Sequence, residues 1–430
     1  MNNTKEILLR SITKCILILL VCVFLGTLLL FGTYLLPVEP MKENVARSSD
    51  IFDYEGVYPQ LVQGYKSSQL DNCTDAIMLG IAIDQGTGMS VAGRAMLNQR
   101  TEYRGENPVQ SLNDYAHDVP GKEMSKFSPG YGRYWHGYLV VLKPLLLLFD
   151  YGDIRYMNMI LQAFLIGWLG VLLIEQGYKR AAAALGITLL VLNPLAIMLS
   201  LQFSSVYYLM LIASIIIIKH KDRLKYASEY FVYFFLLVGI LTSYFDFLTY
   251  PAITLGIPLI LFLVVNEAIS LKVKLKGMVQ AAISWGAGYG IMWAGKWLAA
   301  SILLKTNMFS DAFSTIIFRT SMETDGDTLN WMQVVWRNVR VLVKWPYVML
   351  GIIILVIVIW RFIKSGADSA RGIAVKRALP YFLMALLPFI WFLFMGNHSY
   401  EHYWFTFREL GITCFAVLTY LFYIPHKLID

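Results

Sequence analysis

Long runs of apolar residues, separated by short polar segments, make up most of the chain. The first run extends from Ser11 to Leu36. The later runs lie near residues 157–175, 183–200, 203–218, 229–245, 250–266, 277–304, 343–363, 380–396 and 407–425. Such runs have about the length that a helix needs to cross a hydrocarbon core of about 30 Å. The pattern therefore predicts an all-α polytopic membrane protein with about 10 to 12 transmembrane helices.

The spacing of the apolar runs also predicts how the chain is divided. Residues 1–36 form an N-terminal segment and a first helix, and residues 37–136 form one large polar loop. Residues 137–430 form a helical bundle with further loops near 243–251, 305–340 and 396–406. The apolar run 137–149 is short and contains Lys143 and Pro144, so we expect an interfacial or re-entrant segment there.

The distribution of charge predicts which side each loop faces. The chain is 57% hydrophobic and 15% charged, with a net charge of +7. Its basic residues cluster in short loops between apolar runs, as in proteins that orient their helices by cytoplasmic Lys and Arg. This pattern predicts cytoplasmic termini and an extracytoplasmic large loop in a plasma membrane. It also makes membrane lipids, rather than nucleic acid, the expected partner. The short chain without a retention signal favours a bacterial source.

The predicted outer segments carry ionisable residues at similar depth. Asp246 and Lys296 lie about seventeen and nineteen residues into their spans, near the outer boundary of the bilayer at 1.5 Å per residue. An ionisable group within a span is a functional candidate, because burying its charge in lipid is costly. The ammonium group of Lys296 could instead reach the headgroups.

The last outer segment contains three residues suited to bind a polar substrate. His398 and His402 are four residues apart, so a helix would place them on one face. This spacing can bind a metal, but without a third ligand nearby we favour hydrogen bonds to phosphate or sugar, and we expect no cofactor. Arg408 has the planar fork that binds phosphate in a bidentate manner.

The large loop contains two acidic clusters that could supply a general base. Asp53 and Glu55 follow the first helix, and Asp71 and Asp75 precede an apolar stretch that would dock against the membrane. If a helix begins near Thr74, Thr74 or Asp71 is a candidate N-cap, and Asp75 lies in the first turn.

These features together resemble the GT-C superfamily of integral-membrane glycosyltransferases across the whole chain. The resemblance rests on the cytoplasmic N-terminus, the first helix followed at once by a large acidic loop, and the helices beyond it. It implies a polyprenyl-phosphate sugar as donor, a glycan, lipid or protein as acceptor, and other glycan-assembly membrane proteins as possible partners. It also implies a catalytic acid in the first loop, for which we rank Asp75 and Asp71 before Glu55 and Asp53. The expected substrate-binding residues are Lys296, His398, His402, Arg408, Asp246, His136, Arg133, Glu401 and, less securely, Arg319.

Two other functions remain open from the sequence. A transporter or flippase of lipid-linked glycans would carry its charges near the midplane of the membrane, in helices broken symmetrically between two halves. A glycan polymerase or ligase would also face outward, but its large loop is expected late in the chain. Here the charges gather at the outer boundary and the large loop comes first, which favours the transferase.

Overall fold

A computed structural model describes residues 2–86, 88–125, 132–226, 228–324, 326–364 and 371–423. Residues 424–430, for which the charge pattern predicts a cytoplasmic location, lie outside this part of the chain. The described part of the chain is 75% helical. The strands in the described part are β1 (Glu323–Thr324) and β2 (Asp327–Thr328), which pair antiparallel. The prediction of a nearly all-α protein is confirmed.

The helices fall into three groups along the chain. The N-terminal group is α1 (Asn2–Tyr34), α2 (Glu39–Arg47), α3 (Asp50–Glu55), α4 (Asn72–Ile83), α5 (Val91–Leu97), α6 (Pro108–Ala116) and α7 (Leu139–Leu146). The middle group is α8 (Tyr151–Glu175), α9 (Lys179–Val191), α10 (Pro194–Leu199), α11 (Leu201–Lys219), α12 (Glu229–Phe245), α13 (Ile253–Val265) and α14 (Leu271–Leu304). The C-terminal group is α15 (Met308–Thr320), α16 (Trp331–Val339), α17 (Trp345–Lys364), α18 (Arg371–Phe394), α19 (Gly396–Glu401), α20 (Tyr403–Thr406) and α21 (Leu410–Tyr423). Short 3₁₀ helices lie at Lys66–Ser68, Arg340–Leu342 and Phe407–Glu409.

The predicted count of 10 to 12 membrane spans is not confirmed. Within the described residues, 5 helices are long and apolar enough to cross a membrane. They are Leu9–Tyr34, Tyr151–Glu175, Leu201–Lys219, Arg377–Phe394 and Tyr403–Tyr423. A sixth span is counted if the bent pair Trp331–Leu342 and Trp345–Ile357 is taken as one.

Two predicted spans in the middle of the chain, 183–200 and 250–266, differ from the helices that the structure shows, and the difference has a physical reason. The apolar run 183–200 is divided between α9 and α10, and Asn193 starts the second helix with a left-handed backbone. The run 250–266 forms α13, whose 13 residues are nearly all buried by neighbouring helices. A helix covered by protein on all sides need not match the thickness of a bilayer, so apolar composition alone overestimates the number of spans.

The large loop folds into helices that pack against the membrane bundle. Buried residues of α2, α4 and α6 share one hydrophobic core with residues of α1, α7, α12 and α14. A second core joins α8, α9, α11, α12, α13 and α21. The large loop is therefore packed into the same folded structure as the helices of the bundle.

Glycines allow α12 and α14 to pack with their backbones in close contact. A Cβ atom at Gly239 of α12 would lie 2.1 Å from the carbonyl oxygen of Trp285. A Cβ atom at Gly288 of α14 would lie 2.2 Å from the carbonyl oxygen of Leu236. Small residues at such crossings are typical of helices that pack within membranes.

We expect Gly288→Ala to destabilise the protein, because the added methyl group must push the two backbones apart. Overpacking of this kind costs about 1–3 kcal/mol, which should lower the midpoint of thermal unfolding in detergent. Gly286→Ala is the matched control in the same helix, since no atom lies within 4 Å of a Cβ there. Equal midpoints for the two variants would contradict the close packing of α12 and α14.

Candidate functional site

Asp71 is the N-cap residue of α4, and its carboxylate is buried. Its Oδ1 accepts a hydrogen bond from the backbone N–H of Thr74 at 3.0 Å, as expected for an N-cap residue. Its Oδ2 accepts a hydrogen bond from the indole N–H of Trp404 at 3.3 Å. Burial raises the pKa of Asp71, and these two hydrogen bonds and the charge of Arg408 oppose that rise only in part.

Arg408 is a buried cation that interacts electrostatically with Asp71. Its guanidinium is fully buried and lies 4.2 Å from the centre of the Phe203 ring. It donates to the carbonyl oxygens of Trp404 at 3.2 Å and Ser67 at 3.4 Å, while Nε has no partner among the described residues. No described carboxylate lies within salt-bridge distance, although Asp71 attracts Arg408 electrostatically. A buried cation with donors to spare is a suitable partner for an anionic ligand.

Trp404 links these two groups and covers them. Its side chain donates to Asp71, and its backbone carbonyl accepts from Arg408 four residues later. The ring of Tyr58, which is 45% exposed, packs edge-on against Trp404 at 5.6 Å. A substrate that approaches Asp71 from this side must therefore displace the two rings.

A histidine pair and a second arginine extend the site on the other side of Trp404. The ring of His402 lies 5.2 Å from that of Trp404 and 4.8 Å from that of His398. Nη1 of Arg319 lies 3.2 Å from Nε2 of His402. Burial and the charge of Arg319 lower the pKa of His402 to about 3. Burial, His402 and Arg319 hold the pKa of His398 well below its usual value. Both imidazoles are neutral at pH 7, so the positive charge here comes from arginine.

An apolar pocket adjoins this cluster. It has a volume of 110 Å³ and lies between α14, α15 and the segment before α7. Its walls are aromatic and aliphatic, and arginines lie at its edge. The lining includes Tyr134, Trp293, Trp297, Ile316, Arg133 and Arg319. Apolar walls with a few charged groups are typical of sites for amphipathic ligands.

Asp246 and His136 shape the loop beside the pocket. Asp246 accepts hydrogen bonds from the backbone N–H groups of Leu248 and Thr249, both at 3.0 Å, and from the Thr249 hydroxyl at 2.5 Å. These bonds hold Leu248 at a φ of 75°, an uncommon value for a bulky residue, and Leu248 lines the pocket. Burial raises the pKa of Asp246 to about 6. The ring of His136 stacks on Phe247 at 5.7 Å.

Asp75 joins the large loop to two helices of the bundle. Its carboxylate accepts hydrogen bonds from the Tyr151 hydroxyl at 2.7 Å and from the backbone N–H groups of Leu201 at 2.9 Å and Gln202 at 3.0 Å. It therefore satisfies the free N–H groups at the start of α11. Burial raises the pKa of Asp75 to about 6, although all three donors favour the ionised form.

The other acidic candidates, Glu55 and Asp53, have different partners from Asp71. Glu55 pairs with Arg155 at 2.9 Å and accepts a hydrogen bond from the side chain of Asn72 at 3.0 Å. Asp53 accepts a hydrogen bond from Asn113 at 2.7 Å and lines a polar cleft of 560 Å³ between α3 and α6. The acid cluster of residues 53–55 is thus exposed or paired, whereas Asp71 is buried beside a cation.

Three further candidates make contacts outside the cluster around Trp404. Nζ of the buried Lys296 donates to the carbonyl of Ala95 at 3.1 Å, at the C-terminal end of α5. Arg133 lies 3.5 Å from Asp311 on α15. Glu401 accepts a hydrogen bond from Thr324, between α19 and β1. Within the described residues, no group of three or more His, Cys, Asp or Glu side chains could hold a metal ion.

The structure thus brings Asp71, His398, His402, Arg319 and Arg408 together. The sequence reasoning did not select Trp404, although its position four residues before Arg408 could have indicated a shared helical face. It also did not select Tyr151, which holds Asp75; no local pattern marks that residue. Comparison of the chain with protein-family models, curated proteins and solved structures finds no match. A function must therefore be argued from the site itself.

We expect Asp75→Ala to destabilise the protein, because it leaves two backbone N–H groups and the Tyr151 hydroxyl buried without partners. The expected loss of unfolding free energy is about 3 kcal/mol, measured as a lower midpoint of thermal unfolding in detergent. Asp222→Ala, at an exposed position, is the matched control. An unchanged midpoint for Asp75→Ala would contradict the capping role.

Proposed function

We propose that this protein is a membrane glycosyltransferase that moves a sugar from a polyprenyl-phosphate donor to an acceptor hydroxyl, with Asp71 as the general base. The observation that carries the proposal is the buried pair of Asp71 and Arg408. A base and an unneutralised cation lie together, bridged by Trp404, in a helical protein with membrane-spanning character. Asp71 can take the proton of the attacking hydroxyl, and Arg408 can stabilise the charge on the departing phosphate.

The proposed reaction requires one proton transfer at Asp71. The carboxylate takes the proton of the acceptor hydroxyl while that oxygen forms a bond to the anomeric carbon of the sugar. The bond between this carbon and the phosphate oxygen breaks, and its electron pair leaves with the phosphate. Because the leaving phosphate is already a stable anion, no general acid is needed. Arg408 would stabilise the charge that develops on it through its free N–H donors.

The apolar pocket supports a donor that is part lipid and part anion. The aromatic walls formed by Trp293 and Trp297 suit the first isoprene units of a polyprenyl chain, and Arg319 lies between them and His402. A chain seated there would present its phosphate toward the histidine pair and Trp404. The neutral imidazoles of His398 and His402 can then donate or accept hydrogen bonds without competing with arginine for charge.

We expect Asp71→Asn to lower the rate of sugar transfer by at least about a hundredfold, the usual contribution of a general base. Asparagine is also a good N-cap, so α4 should form in the variant. The measurement is release of polyprenyl phosphate from a panel of polyprenyl-phosphate sugars by the purified, reconstituted protein. Glu123→Gln, an exposed substitution in the same loop, is the control.

Two results would contradict the proposed function. One is full activity of Asp71→Asn, which would exclude Asp71 as the base. The other is wild-type protein that releases no lipid phosphate from any donor. If such protein instead moves a lipid-linked glycan across the vesicle bilayer, a flippase is the correct interpretation.

The pH dependence of transfer should reflect the environment of Asp71. Only the ionised carboxylate can act as a base, so the rate should fall as the pH drops through its pKa, which burial raises above the ordinary 3.8. Trp404→Phe keeps a ring but removes the N–H group that favours the ionised form, so the acid limb of the pH profile of kcat/KM, which reports the free enzyme, should move to higher pH. Trp168→Phe, on the lipid-facing part of α8, should leave the profile unchanged. A Trp404→Phe limb that does not move, or moves to lower pH, would contradict this account of Asp71.

A further inference from the structure

Helix α16 carries large apolar side chains that no part of the described structure covers. Met332 is 62% exposed and Trp336 is 57% exposed on one side of the helix, and Trp331, in its first turn, is 37% exposed. The opposite side is buried through Val334 and Asn338. One face of α16 is thus buried against the protein, and the other exposes large apolar side chains. Such an exposed apolar face is typical of a surface that binds another molecule or a membrane.

The direction of α16 identifies that partner. The helix and its 3₁₀ extension, Trp331–Leu342, meet the apolar segment Trp345–Ile357 of α17 at an angle of 90°. If α17 crosses the bilayer, α16 lies in the plane of the membrane surface. Trp345, at the bend, is 72% exposed, and the exposed apolar surface continues along α17 through Ile352 and Ile353. The exposed face of α16 is therefore continuous with an apolar surface of α17 that would contact lipid if α17 crosses the bilayer.

The charges around α16 match a surface rich in phosphate. Arg337, Arg340 and Lys344 follow the aromatic residues, and residues 330–345 contain no Asp or Glu. The guanidinium of Arg337 stacks on the Tyr400 ring at 3.9 Å and so faces the protein, whereas Arg340 is exposed and can reach a headgroup phosphate. Tryptophan beside arginine and lysine is the composition of a segment that lies between headgroups and acyl chains.

The buried face of α16 is bonded to the segment that carries the candidate site. The side-chain amide of Asn338 donates to the carbonyl of Ser399 at 2.8 Å, and its oxygen accepts from the Thr406 hydroxyl at 2.7 Å. Ser399 and Thr406 flank the region that contains His402 and Trp404. The depth of α16 in a membrane would thus set the depth of the site.

We propose that α16 is an in-plane anchor that inserts Trp331, Met332 and Trp336 into the lipid headgroup layer and holds the residue 396–406 segment at that level. The proposed partner of this face of α16 is the surface of the lipid bilayer that the membrane-spanning helices of the same chain cross. The inference rests on the membrane location of the chain and not on the proposed sugar transfer.

The test uses the full chain in phospholipid nanodiscs with an environment-sensitive fluorophore at one introduced cysteine. Met332→Cys probes the exposed face of α16, and Asp327→Cys, in the adjacent β2, is the matched exposed control. The parent chain labelled in parallel gives the background from its native cysteines. Nitroxide-labelled lipids should quench the label at 332 several-fold more than the label at 327, and aqueous iodide should do the reverse.

The possible results separate the occupants of this face. Strong iodide quenching at 332 would place the face in water and overturn the proposal. Protection at 332 from both quenchers would indicate cover by another protein chain, and would also overturn it. A Trp331→Ser, Trp336→Ser double variant should weaken lipid quenching at 332 without loss of folded protein. Since no readout depends on turnover, a failure here is distinct from a failure of the proposed function.

Discussion

The capping of α11 by Asp75 determines where the candidate site lies. Its carboxylate receives two N–H groups from α11 and the hydroxyl of Tyr151 from α8, so one side chain joins the large loop to two long helices. Asp71 lies one turn earlier in the same loop, and its own N–H group is directed at Ser200, the residue before α11. With α4 held in this way, Asp71 has little freedom to move from the segment that carries Trp404 and Arg408.

The buried cations differ in the groups that surround them. Lys143 donates to the carbonyl of Ala82 at 2.6 Å, and Lys296 donates to that of Ala95. Both carbonyls lie in the last turn of a short helix, where the helix dipole favours a positive charge. These lysines therefore have a structural explanation. Arg408 likewise donates to carbonyl oxygens of short helices, those of Trp404 and Ser67, and its Nε has no partner among the described residues. It is the cation of this group that interacts with Asp71 at the candidate site.

Local patterns in the sequence predicted local structure well and long-range contacts poorly. The N-cap role of Asp71 followed from polar residues placed before an apolar run, and the structure confirms it. The division of the run 183–200 and the burial of α13 depend on neighbours distant in the chain, so hydrophobic length alone does not predict them, and the count of 10 to 12 spans is not confirmed. The role of Asp75 could not be read locally either, because its partner helices begin about 80 to 130 residues later.

If Asp71 is the base proposed above, its enclosure would favour transfer over hydrolysis. Water is abundant at a membrane surface, and a solvated base would activate it as readily as a sugar hydroxyl. Asp71 is 1% exposed, and Trp404, which packs against Tyr58, donates to its carboxylate. A ligand that displaces this ring would remove the hydrogen bond that favours the ionised form, and so would make the carboxylate a stronger base. Arrival of the acceptor and activation of the base would then be one event, with water excluded until the acceptor has taken its place.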